Sequence, residues 1–170
     1  MNSDPSSTPD KPGPEPDDTG RAGNALLLEH FLPYRLSVLS NTISRTLARS
    51  YGAQFGLNLM EWRVMAILGR FPDISASEVA SYGAMDKVAV SRAVRTLRAA
   101  ARIIRRTARD DRRRSVLRLS ASGRRLYEQI VPMARTFEAE LLQALGPEDH
   151  GTLDRLLQRL TERSRALEEA

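Results

Sequence analysis

Fourteen lysines and arginines fall between Asp86 and Arg125, and only Asp86, Asp110 and Asp111 oppose them. That stretch carries a net +11 in a chain whose total is +5, so everything outside it sums to −6. A field gathered this tightly attracts a polyanion. The chain is thereby limited to folds that present one short helix and the turn after it to such a partner, and double-stranded DNA is the favoured one.

At 170 residues the chain is long enough for one core, as a single domain or a binding unit with a helical arm. Apolar residues make up 41%, yet no run approaches the roughly 20 needed to span a bilayer, so no membrane partner is expected. The absence of cysteine excludes disulfides, thiol redox sensing and thiolate zinc sites. His30 and His150 lie far apart with no metal-ligand spacing. No nucleophile–base pair, carboxylate dyad or glycine-rich phosphate loop is present, so an enzyme is not expected, nor a cofactor. The N-terminus lacks the basic and apolar regions of a signal peptide, which predicts a cytoplasmic, nucleoid-associated protein.

Residues 1–23 hold five of the nine prolines and almost no large apolar side chain. Asp4, Asp10, Glu15, Asp17 and Asp18 stand against Lys11 and Arg21, a net −3. Such a segment cannot bury enough surface to offset its ordering entropy, so it reads as a disordered acidic tail. It is either simply solvated or a weak competitor that folds back over the basic segment.

From Leu32 the apolar residues Leu32, Leu36, Leu39, Ile43 and Leu47 recur at helical spacing, predicting a helix with one buried face. Pro33 suits its first turn and Gly52 and Gly56 close it. A second helix is predicted over Met60–Arg70. Ser75 and Glu78 form a capping box for a short third helix ending at Gly83. Asp86 caps a fourth, with Val90, Val94 and Leu97 as its apolar stripe. Two short helices joined by a tight glycine-containing turn match a helix-turn-helix whose second member is the basic one. Ile103–Thr107 and Ser115–Leu119 then read as a hairpin with a charged tip from Arg109 to Arg114, so the motif is winged. Ser120 caps a long helix carrying Leu126, Ile130, Ala134, Phe137, Leu141 and Leu145, with a bend expected at Pro132. Pro147 opens a last helix with Leu153, Leu156, Leu157, Leu160 and Leu167 on one side. These flanking helices are apolar over more length than a small winged helix needs, as a dimer interface would be.

With its elements in this order, the chain resembles the MarR family of bacterial transcription regulators over about Leu32 to Leu160. The wing carries most of the resemblance: Ile103, Arg105, Asp111-Arg112-Arg113, then Val116, Leu119 and Ser120. Supporting pieces are Glu61-Trp62-Arg63-Val64-Met65 and Met85-Asp86-Lys87-Val88-Ala89-Val90-Ser91-Arg92. Two departures are Ala101, where the family has glycine, and Arg102, where it has an apolar residue. If position 101 is left-handed, alanine costs roughly 1 kcal/mol relative to glycine. A longer recognition helix would instead shift the wing.

The resemblance implies a mainly α fold with a small β-hairpin wing. Residues 24–170 would form a MarR-type domain, with the winged helix over about 58–120 and dimerisation helices in 24–57 and 121–170. Each subunit of a homodimer would lay its recognition helix in the major groove, presenting Lys87, Val88, Ser91, Arg92 and Arg95. Arg92 suits a bidentate contact to guanine, Ser91 and Lys87 suit phosphates, and Val88 suits a thymine methyl. By resemblance, Asp111 braces the wing and aims Arg113 into the minor groove, with Arg112 and Arg114 on flanking phosphates. Arg118, Arg124 and Arg125 are as well explained by solvating the hairpin.

The resemblance further implies release from DNA by a small aromatic or anionic effector. Ser37, Ser40, Asn41 and Ser44 form a polar stripe on the first helix, and Phe31, Tyr34, Arg35 and Trp62 offer aromatic walls and a counter-charge. The alternative is that the serines face solvent and Trp62 is core. The Leu-Pro-Tyr-Arg-Leu-Ser run resembles regulators of aromatic-acid catabolism, which points to an aromatic acid or its CoA thioester. The reading is thus a ligand-responsive transcriptional regulator, repression being the family's commoner habit. The competing reading is an architectural DNA-binding protein with no ligand and little sequence preference.

Overall fold

A computed structural model describes residues 26–108 and 113–170. They divide into two units, the segment up to Thr42 and Ile43–Ala170. Helix α1 (Leu32–Phe55) runs from one into the other. It starts with Pro33 in its first turn and stops before Gly56, whose φ of 62° suits a residue without Cβ. In its first half, Leu32, Leu36 and Leu39 are all exposed. Among the described residues the expected buried face therefore begins only at the half-buried Ile43 and Leu47.

Within the second unit, local side-chain caps decide where the helices begin. Helix α2 (Leu59–Arg70) starts one residue earlier than the periodicity implied, since Asn58 and Glu61 form a reciprocal capping box. Asn58 Oδ1 accepts from the Glu61 amide at 2.9 Å, and Glu61 Oε2 accepts from the Asn58 amide at 3.0 Å. Ser75 and Glu78 repeat the arrangement for α3 (Ala76–Tyr82). Asp86 Oδ1 accepts from the Ala89 amide at 2.9 Å to open α4 (Lys87–Ala99).

Strands β1 (Ile103–Thr107) and β2 (Ser115–Leu119) pair antiparallel, Ile103 opposite Leu119 and Thr107 opposite Ser115. The wing has a third rung that periodicity could not show. Ile74, in the link between α2 and α3, bridges Leu117, and the Asp73 amide donates to the Leu117 carbonyl at 2.9 Å. The hairpin is thus stitched to the link between α2 and α3 as well as to α4.

Helix α4 ends at Ala99 and Ala101 sits at a φ of 52°, so the left-handed alternative holds and the wing starts at Ile103. The next helix, α5 (Ala121–Leu142), locks that turn. Ser120 Oγ and Ser122 Oγ both donate to the Ala101 carbonyl at 2.7 Å. A Cβ on Gly123 would lie 1.8 Å from the Arg102 carbonyl oxygen, so only glycine permits this approach. Helix α5 contains Pro132 and stops short of Leu145. Helix α6 (Pro147–Glu168) follows.

The core is built from Val64, Met65, Leu68, Val79, Val90, Leu97 and Ile130, all nearly inaccessible to water. Each contributes about 1.5–3 kcal/mol of burial. Leu117, Leu119 and Ile103 join it from the wing. Helix α6 buries none of its side chains within a single chain, and Leu153, Leu156, Leu157, Leu160 and Leu167 are exposed.

Candidate nucleic-acid interface

Helix α4 divides its residues cleanly. Val90, Ala93 and Leu97 are buried and Val94 is half-buried, so the helix is fixed on the core by one side. On the other side Lys87, Val88, Ser91, Arg92 and Arg95 are exposed and together line one shallow depression. These are the five residues of the recognition helix among the nine that the sequence assigned to DNA, and the structure brings these five together. Val88 is 56% exposed. Among the described residues no carboxylate is paired with Lys87, Arg92, Arg95 or Arg98. The face therefore keeps its whole positive charge for an anion.

The wing arginines are less uniform. Arg113 and Arg114 are exposed, but Arg114 Nη1 lies 3.7 Å from Glu78 Oε2. That oxygen also accepts from the Ser75 amide, so the α3 capping box helps position the tip end of the wing. Asp111 and Arg112, assigned to bracing and phosphate contact, lie outside the described residues, as does the tail of residues 1–23. Arg118 is structural: its Nε donates to Asp73 Oδ1 at 2.6 Å and its Nη2 pairs with Oδ2. The hydrogen bond it donates to Asp73 holds its pKa above the ordinary arginine value. Arg124 lies over the Tyr127 ring, 5.9 Å from its centroid.

Arg98 and Arg105 were given no DNA-binding role by the sequence reading. With Arg95 they wall a cleft between α4 and the wing. The signal was available in the spacing, because Ser91, Arg95 and Arg98 follow one another at four and three residues along a helix.

The effector candidates separate by position. Phe31, Tyr34, Arg35, Ser37, Ser40 and Asn41 are exposed along the first part of the chain, and Ser44 is half-buried on α1. Trp62 is 9% exposed and stacks on Tyr127 with ring centroids 5.9 Å apart, so most of it is core. Its remaining surface lines a groove of about 350 Å³ with Ile43, Leu47, Val131, Ala134, Phe137, Leu141, Arg135 and Glu138. Arg135 and Glu138 were not anticipated, because the reading of α5 singled out its apolar stripe for a dimer interface. No helix among the described residues is long and apolar enough to cross a membrane.

A capped two-helix motif, a basic second helix fixed by its apolar side and a hairpin on the same core define a winged helix-turn-helix DNA-binding domain. Residues 55–114 match the family model of the MarR family. The fold agrees over most of the chain. A MarR/EmrR family transcriptional regulator from Acinetobacter sp. ADP1 superposes with a TM-score of 0.78 at 25% identity, covering 83% of this chain and 99% of that one. Bordetella bronchiseptica BpsR, whose DNA binding is regulated by 6-hydroxynicotinic acid, gives 0.71 at 19% identity over 81% and 98%. MepR from S. aureus, solved with DNA, gives 0.69 at 19% identity over 78% and 98%. No curated protein sequence matches the chain.

Proposed function

We propose that this chain is a sequence-specific transcriptional regulator, acting as a homodimer on a pseudo-palindromic operator, in the mode of a repressor released by a small aromatic or anionic ligand. The observation that carries the reading is the exposed face of Lys87, Val88, Ser91, Arg92 and Arg95, free of acidic partners among the described residues. Its mixture of a methyl-bearing residue, a hydroxyl and guanidinium groups suits base edges better than phosphate alone. Arg113, Arg112 and Arg114 serve the adjacent minor groove and its phosphates, and Asp111 braces them. The exposed leucines of α6, with those of residues 24–57, supply the apolar surface a dimer buries.

For the effector, the groove beside Trp62 offers apolar walls with Arg135 as the counter-charge of an aromatic carboxylate or CoA thioester. The regulation of BpsR by an aromatic acid is consistent with that class. The exposed set Phe31, Tyr34, Arg35, Ser37, Ser40 and Asn41, with the half-buried Ser44, on and before α1 is the second place for ligand contact.

The test is selection of bound sequences from a random duplex library at about 150 mM salt, beside a measurement of mass in solution. A regulator returns one pseudo-palindrome with half-sites about 10 bp apart and a dimeric mass. No enriched motif, with binding that collapses as salt rises, would replace this reading with the architectural one.

A further inference from the structure

The recognition helix and the wing are separated by a cleft of about 330 Å³. Ser91, Val94, Arg95 and Arg98 form its α4 wall, Arg105, Ser115 and Leu117 its wing wall, and Ala76 closes one end. A second depression is also lined by Arg95, Arg98 and Arg105, with Ile103 and Ile104. Three guanidinium groups from two different elements therefore converge on one place, all exposed. Arg105 is held there by a hydrogen bond from its Nε to Ser115 Oγ. Arg95 and Arg98 have no acidic partner among the described residues.

We propose that this cleft is a seat for one phosphodiester of the duplex, with Arg98 and Arg105 as its positioning residues. The seat rests on the DNA reading above and follows from it by geometry. A sugar-phosphate strand is the wall between a major groove and the minor groove beside it. A protein that places α4 in one groove and the hairpin in the next must pass that strand between the two elements. The only charge the passing strand carries is on its phosphates, and the cleft meets it with three cations and two hydroxyl groups. Like charges from α4 and β1 oppose one another while the cleft is empty. A phosphate relieves that repulsion and fixes the distance between helix and wing.

The full chain, Arg98→Gln and Arg105→Gln are compared by duplex affinity across a salt series. Each variant is expected to flatten the slope of log K against log salt by about 0.9 for each phosphate it no longer neutralises. Base preference in the selected sequences stays as in the parent chain, and Arg105→Lys restores most of the slope. The phosphate is then located by replacing single linkages in each half-site with neutral methylphosphonates. One linkage, lying between the bases read in the major groove and those read in the minor groove, is where neutralisation weakens the parent chain. The same replacement leaves the Arg98→Gln/Arg105→Gln double variant nearly unaffected. Unchanged slopes in both variants, or equal methylphosphonate penalties in parent and double variant, overturn the seat. Failure of the parent chain to bind any duplex would overturn the DNA reading itself, a separate result.

Discussion

Asp73 and Arg118, 45 positions apart, form a two-pronged ion pair that fastens the wing to the link between α2 and α3, with Nε to Oδ1 at 2.6 Å. Asp73 also has a φ of 63°, a left-handed conformation in which Asn and Asp are the least strained side-chain-bearing residues. Two roles thus fall on one residue. Asp73→Asn keeps the conformational tolerance and loses the charge, whereas Asp73→Ala loses both. Thermal melting is expected to rank them parent, Asn, Ala, and equal losses would assign everything to the ion pair. The raised pKa of Arg118 adds stability that is complete below its ordinary value and lost only as pH climbs through the higher folded value. Arg118 therefore adds no slope to stability between about pH 5 and 9.

Gly123 is predicted to be the least replaceable glycine of the second unit. Its Cβ would strike the Arg102 carbonyl oxygen, a backbone atom that cannot swing aside. Gly123→Ala should cost at least about 1–3 kcal/mol in urea unfolding, the range of an overpacked core position. Gly52 is the contrast, since its Cβ would approach nothing nearer than the Leu57 carbonyl oxygen at 3.8 Å. Gly52→Ala should stabilise α1 by about 0.5–1 kcal/mol.

Ala101 holds a left-handed backbone at the hinge between recognition helix and wing. Ala101→Gly removes strain of roughly 1–2 kcal/mol, and the greater freedom of glycine in the unfolded chain returns part of it. A small rise in melting temperature with unaltered duplex affinity is the expected pair of results. A fall in stability would mean that the Ala101 methyl group packs usefully.

Arg92→Ala should relax sequence preference at one position per half-site and weaken operator binding by about 1–3 kcal/mol. The salt slope should hardly change. Repeating the library selection with the variant checks this, and an unaltered motif removes Arg92 from the base-reading set.

The elements of the winged helix were legible because each is marked locally. Ser75, Asp86 and Ser120 are caps, and the hairpin strands run over the residues their alternation indicated. What was not legible depends on partners far away in sequence. The Ile74 rung of the wing and the pairing of Arg118 with Asp73 need the chain already folded. Arg98 was legible from its helical spacing with Ser91 and Arg95, whereas Arg105 is an ordinary surface arginine until α4 and β1 come together. Trp62 shows a third limit, since its indole is both core and groove wall, and periodicity assigns it to one or the other.

Helix α6 has 22 residues and buries none of them within its own chain. An isolated helix of that length is only marginal in water, even for favourable sequences. Its order is accordingly lent by whatever covers the leucine face. If a second copy does so, stability becomes a function of abundance, and the melting temperature climbs with protomer concentration. A cell making few copies would then hold a less folded population than one making many, so dosage and folding would be the same variable.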